Sequence, residues 1–118
     1  MPHKSDLLQN RLIVFGASAC ELSRRFPRDI AGQTLARQLV RCATSPAANY
    51  AEAREAESTI DYVHKMKICL KELRETAAWI AMAERTTSGG LQTKKLYAEC
   101  GELTAIFITC IKKARSQL

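Results

Sequence analysis

The strongest constraint on the fold of this chain is a row of apolar residues that repeats in steps of three and four. Between residues 59 and 85, Val63, Met66, Leu70, Leu73, Ala77 and Ile80 keep that spacing over several turns. Such a period puts all six on one stripe of an α-helix, the narrow seam of a helical bundle. A half-buried strand needs strict alternation, and no alternating run is sustained anywhere in the chain. With three prolines and five glycines in 118 residues, long helices can run uninterrupted. The opposite side of the segment carries Asp61 four residues before Lys65 and Lys71 four before Glu75. Opposite charges at that spacing support a solvent-facing helix surface.

Three further segments carry the same signature. The first covers about residues 5–26, with Ser5 and Asp6 suited to its start and Leu8, Leu12, Phe15, Ala19, Leu22 and Phe26 on one stripe. Pro27 should end it, because the residue before a proline is steered out of helical geometry. The second opens after Gly32 and carries Leu35, Leu39, Cys42 and Pro46 on one face. Pro46 removes a backbone donor and should kink this helix, which resumes over residues 47–57. Ser58, three residues before Asp61, resembles the N-cap of the third segment. Residues 87–90, ending in Gly89-Gly90, read as a loop, and without the G-K-S/T of a phosphate loop they read as nothing more. A fourth helix over about residues 93–115 shows Leu96, Leu103, Phe107 and Cys110 or Ile111, and ends in Lys112, Lys113 and Arg115. Short connections make successive helices antiparallel. The expected fold is all-α, an up-down-up-down four-helix bundle that forms a single domain over residues 1–118.

Several classes of function find no support. The chain starts with a polar run, and uncharged stretches such as residues 12–20 fall short of the ~20 residues a membrane span needs. A cytoplasmic protein without membrane association is expected. Five cysteines without a C-x-x-C pair indicate neither a disulfide framework nor a zinc site. Cys42, Cys69 and Cys110 fall on or beside the apolar stripes and read as small buried hydrophobes. His64 follows Asp61 by three residues, but no nucleophile, carboxylate pair or further histidine except His3 accompanies it. We expect no catalytic residues, no metal, no cofactor and no enzymatic activity.

The stretch over residues 41–79 reads R-C-A-T-S-P-A-A-N-Y-A-E-A, then E-S-T-I-D-Y-V-H-K-M-K-I-C-L-K-E-L-R-E-T-A-A-W. It resembles the pattern T-S-x-x-A-N-Y-x-E-A followed by S-x-x-D-F-x-H-K-x-x-I-x-x-K-E-x-x-E-T-x-x-W of the small four-helix-bundle proteins encoded in intervening sequences of bacterial 23S rRNA genes. Matching positions run from Thr44 and Ser45 through Asn49, Tyr50, Glu52, Asp61, His64 and Lys65 to Lys71, Glu72, Glu75, Thr76 and Trp79. Tyr62 stands where phenylalanine is usual. The resemblance implies a ring-shaped homopentamer and no enzymatic activity. Related bundles serve diversity-generating retroelements as accessory proteins that bind nucleic acid and a reverse transcriptase. The motif also singles out Asn49, Glu52, His64, Lys71, Glu72 and Glu75 as a polar set, either a shared site or a network that fixes helix register. Asn49 in particular is placed to satisfy backbone groups freed by Pro46. Trp79 and Tyr97 read as core or interface residues rather than platforms for bases.

Net charge is +6, and its placement says more than its size. In the expected topology one pole gathers Arg24, Arg25, Arg28, Arg37, Arg85, Lys94 and Lys95, opposed only by Asp29 and Glu84, a balance of +5 over residues 24–37 and 82–95. The other pole, residues 1–10, 50–66 and 108–118, holds six bases and five acids. The functional expectation is an oligomer that binds structured RNA or DNA through the basic pole, by shape and charge. The alternative is a protein-interaction scaffold. Ile13, Val14, Ile68, Ala78, Trp79 and Ile108 are apolar or small residues beyond the needs of one seam, as self-association would require.

Overall fold

The first three helices begin where a side chain takes up one of their first backbone N–H groups, and the caps of α1 and α2 explain where expected and observed starts part. The computed structural model describes residues 2–86 and 90–118 and contains α1 (Lys4–Ser23), α2 (Ile30–Ala53), α3 (Thr59–Thr86) and α4 (Leu91–Arg115). Among the described residues there is no strand. The His3 imidazole accepts from the Ser5 N–H at 3.1 Å, so α1 starts one residue early. The Asp29 carboxylate accepts from the Gly32 N–H at 2.8 Å and starts α2 at Ile30, not after Gly32. Ser58 Oγ caps α3 by accepting from the Asp61 N–H at 3.0 Å, while the Asp61 carboxylate accepts from the Glu57 N–H. Gly90 precedes α4, which begins two residues before the expected start. The rest of the expected loop, residues 87–89, lies outside the described residues.

Both early helices stop short of their expected ends. After Ser23 the N–H groups of Arg24, Arg25 and Phe26 reach only three residues back, to Glu21, Leu22 and Ser23. The tightened turn still leaves Phe26 buried in the core. Likewise α2 ends at Ala53, and Glu55 and Ala56 bond three residues back.

Across Pro46, α2 remains helical without a break. Carbonyls of this turn receive side chains from both neighbouring helices: Gln9 of α1 donates to the Ala47 carbonyl at 2.8 Å, and the Cys69 thiol of α3 approaches the Pro46 carbonyl at 3.7 Å. Asn49 does not take this role. Its side chain tilts back along the helix and donates to Ser45 Oγ at 2.7 Å.

The four helices pack in a ring in which α2 lies against α1 and α3, and α4 lies against α3 and, least extensively, α1. Leu12, Phe15, Leu39, Met66, Leu73, Ile80, Leu103 and Phe107 are fully buried between them. Tyr50 and Phe107 meet edge-to-face across the interior, with ring centroids 5.7 Å apart. On α3 the buried stripe rotates slightly from the expected one. Cys69 and Thr76 are fully buried, while Leu70 and Ala77 flank the core half-buried. The Thr76 hydroxyl is satisfied by the Glu72 carbonyl at 2.7 Å. Cys42, Cys69 and Cys100 are buried and Cys110 half-buried. Burial pushes the Cys69 thiol up to about 12 and the Cys100 thiol up to about 11.

Two glycines in helices make opposite demands. A Cβ on Gly32 would lie 1.9 Å from the Pro27 carbonyl oxygen, so the α1–α2 turn closes only over a glycine. Gly101, exposed in the middle of α4, would place a Cβ in open space. Gly32→Ala should therefore lower the melting temperature, costing about 1–3 kcal/mol. Gly101→Ala should raise stability by about 0.5–1 kcal/mol through helix propensity. Thermal melts of the two variants side by side check both signs.

Candidate functional site

Antiparallel packing fixes which charges share an end. Arg54 at the end of α2 pairs with Asp6 at the start of α1. Midway along the bundle, Arg41 of α2 meets Glu72 and Glu75 of α3. Arg11 of α1 meets Glu99 and Glu102 of α4. The C-termini of α1 and α3 therefore lie with the N-termini of α2 and α4. At this pole Arg24, Arg25, Arg28, Arg37, Arg85, Lys94 and Lys95 are all exposed. Among the described residues only Arg24 has a carboxylate partner, Glu21 at 3.5 Å, and both side chains are largely in water. A pair of that kind contributes little. Arg85 donates to the Ala81 carbonyl at 3.0 Å, near the end of its own helix.

Helix dipoles make part of this pole costly. Arg24 and Arg25 follow the C-terminus of α1, and Arg85 lies in the last turn of α3, where cations are favoured. Arg28 just precedes α2, and Lys94 and Lys95 lie at the edge of the first turn of α4. There the dipole opposes positive charge. No acidic residue occupies the first turn of α4, and no side chain caps it. At the opposite pole two of the six bases are drawn into pairs, Arg54 with Asp6 and Lys65 with Asp61 at 3.4 Å.

The six polar residues of the motif do not form one cluster. Glu72 and Glu75 come together on the Arg41 guanidinium, whose Nη1 lies 3.6 Å from Glu72 Oε2 and whose Nη2 donates to Glu75. Trp79 Nε1 also donates to Glu75, at 3.1 Å, and Arg41 Nε donates to Gln38 at 2.9 Å. Hydrogen bonds from the Trp79 indole and from Arg41 hold the Glu75 carboxyl below the usual glutamate range, against the effect of burial. Lys71 stays exposed and acts on Glu75 only through its charge. Asn49 bonds within its own helix, and Glu52 and His64 face solvent. Asp61 serves Lys65 and the α3 cap rather than His64. Arg41, the hub of the cluster, stands at the head of the recognised stretch, yet nothing in α2 marks it. Its carboxylate partners lie more than thirty residues away. Among the described residues no group of His, Cys, Asp and Glu is arranged to hold a metal ion, and no helix is long and apolar enough to cross a membrane.

These features define a small antiparallel four-helix bundle with its charge concentrated at one end. The chain belongs to the 23S rRNA-intervening sequence protein family, whose model matches residues 9–109. It is similar to a crystal structure of a protein of unknown function from the S23 ribosomal protein family of Bacteroides thetaiotaomicron, at 26% identity and a TM-score of 0.84. That similarity covers 93% of this chain and 99% of the other. No curated protein matches the chain.

The Arg41 cluster makes a testable link between charge and stability. Glu72 Oε2 is buried without a hydrogen bond, and Arg41 is the cation nearest it. Arg41→Ala should cost about 1–2 kcal/mol in denaturant unfolding near neutral pH, since it leaves that oxygen without compensation. A depressed folded pKa for Glu75 contributes stability that is present above the unfolded value, about 4.3, and is lost as pH falls through the folded value. The gap between wild type and Arg41→Ala should therefore narrow below about pH 4. A gap that stays constant into acid would place the contribution of Arg41 elsewhere.

Proposed function

We propose that this protein is a non-enzymatic binder of structured nucleic acid that engages phosphates through its basic pole as a homo-oligomer. The observation that carries this reading is the set of six exposed pole cations, Arg25, Arg28, Arg37, Arg85, Lys94 and Lys95, without a carboxylate partner among the described residues. The resemblance to a family whose related bundles serve retroelements as nucleic-acid-binding accessory proteins supports it. Three of these cations oppose helix dipoles, so the fold alone gives no reason for them. Exposed Ile13 and Ala78 support self-association, and a pentamer is the state the resemblance implies. Several copies of the pole on one ring combine weak contacts through effective concentration.

Counterion release makes the reading measurable. Affinity for a structured RNA and for duplex DNA should fall steeply with salt, with a log–log slope near −0.9 per phosphate contact on the duplex. Combined Arg24→Ala, Arg25→Ala and Arg28→Ala should flatten the slope and weaken binding to all sequences alike, with oligomer size unchanged by light scattering. Lys112→Ala with Lys113→Ala, at the other pole, should do much less. Equal losses in both variants defeat the polarised pole. If no salt-sensitive binding exists at all, a protein-interaction scaffold takes its place.

The dipole conflict supplies a second check with two readouts of opposite sign. Lys94→Glu with Lys95→Glu should raise the melting temperature, by about 0.3–1 kcal/mol of stability per favourable charge at low salt. The same variant should bind nucleic acid more weakly. A parallel loss of stability and binding would count against a functional reason for these lysines.

A further inference from the structure

Between the C-terminal half of α1 and the N-terminal half of α4 the bundle is open along a groove of about 550 Å³. This falls within the range of small-ligand sites, about 300–1,000 Å³. Buried Phe15, Leu22 and Leu96 form its floor, and exposed Val14 and Ala17 form its α1 rim. Val14, one of the apolar residues expected to serve self-association, thus has a different neighbourhood. The groove runs toward the basic pole, where Arg25 and Lys95 line it.

Two carboxylates and two cations line the groove, and they differ in how firmly they are paired. Glu99 is firmly held by Arg11 at 2.7 Å, whereas Glu21 has only the solvent-exposed Arg24 at 3.5 Å. Arg25 and Lys95 have no such partner among the described residues. Ser18 and Gln92, also on the groove wall, make no side-chain hydrogen bond among the described residues either. An occupant must offer an apolar face to the floor, hydrogen-bonding edges to Ser18 and Gln92, and an anionic group within reach of Arg25 and Lys95. A nucleotide combines all three, with a planar base that buries its faces, polar base edges and a phosphate. A simple acyl carboxylate has no edge groups to offer.

We infer that the α1–α4 groove receives a single unpaired nucleotide, its base over the apolar floor and its phosphate between Arg25 and Lys95. The inference rests on the phosphate-binding reading of the basic pole and narrows its substrate class. A continuous duplex keeps its bases stacked and offers only phosphates, whereas a bulge or loop can also place a base in the groove. The preferred ligand is therefore nucleic acid with unpaired positions, with little dependence on which base is unpaired.

The test compares a blunt RNA duplex with the same duplex carrying a short bulge that contains a fluorescent purine analogue. Wild-type protein should bind the bulged RNA roughly tenfold more tightly, in keeping with the energy of sequestering one unstacked base. The fluorescence of the analogue should change on binding. Ala17→Trp, which fills the groove from an exposed position, should abolish that preference and the fluorescence change while duplex affinity and its salt slope stay as they were. Gln92→Trp fills the groove from the other wall and guards against a folding defect in the first variant, with circular dichroism melts as the control. Equal affinity for the two RNAs in the wild type overturns the inference while leaving the basic-pole reading intact. Absence of salt-sensitive binding to either RNA overturns both. A preference that survives both filled variants overturns the groove assignment. A change of oligomer size in them also overturns it, by showing the groove to be a contact between copies or with another protein segment.

Discussion

The packing of α2 against α3 around Pro46 is the contact on which the remainder of the bundle depends. Proline in mid-helix normally costs a hydrogen bond and crowds the preceding turn. Here carbonyls of that turn are used by neighbours, Gln9 from α1 and Cys69 from α3. One turn later Tyr50 reaches Phe107 of α4. One turn earlier Arg41 holds Glu72 and Glu75. A single stretch of α2 thus makes side-chain contact with all three other helices. Substitutions along it act on several seams together, and their effects should not be additive.

Charge works against stability at one end of this scaffold and for it elsewhere. In the middle of the bundle, cations sit opposite carboxylates on the next helix, Arg11 with Glu99 and Arg41 with Glu75, where they also fix helix register. At the basic pole, like charges gather and some oppose a helix dipole. Screening by salt relieves that repulsion more than it weakens the partly buried pairs. A pole of this kind persists most easily where something outside the chain neutralises it.

Most of the fold was legible in the sequence because apolar spacing reports helices directly. The stripes of all four helices were placed correctly to within the rotation that exchanges Leu70 for Cys69 and Ala77 for Thr76. Boundaries were less legible, for local reasons. Asp29 outweighed Gly32 as the start of α2, since its carboxylate accepts the very N–H that Gly32 offers. The tightened turn after Ser23 ended α1 before Pro27 had any say. The basic pole was visible because it follows from topology and composition alone. The Arg41 cluster was not, because it needs the register of α2 against α3, and neither was Cys100, which no motif marks. The α1–α4 groove was out of reach as well. Apolar spacing places Phe15, Leu22 and Leu96 toward a core but does not say which seam of the ring stays open.

Chain order explains why that seam is the open one. Three of the four seams join helices linked by a short connection, and the linkage holds their ends together. The helices α1 and α4 are the first and last, and nothing covalent brings them into contact. Their seam is closed instead by the Arg11 clasp on Glu99 and Glu102, at 2.7 and 2.9 Å. On the pole side of that clasp the groove opens between the two helices above its buried floor. In an up-down-up-down bundle, the C-terminus of the first helix and the N-terminus of the last necessarily share one pole. The open stretch of the seam therefore falls at the pole where the unpaired cations collect, and its occupant meets Arg25 and Lys95 as a consequence of topology. Chain order thus joins an apolar opening to a source of positive charge in one place.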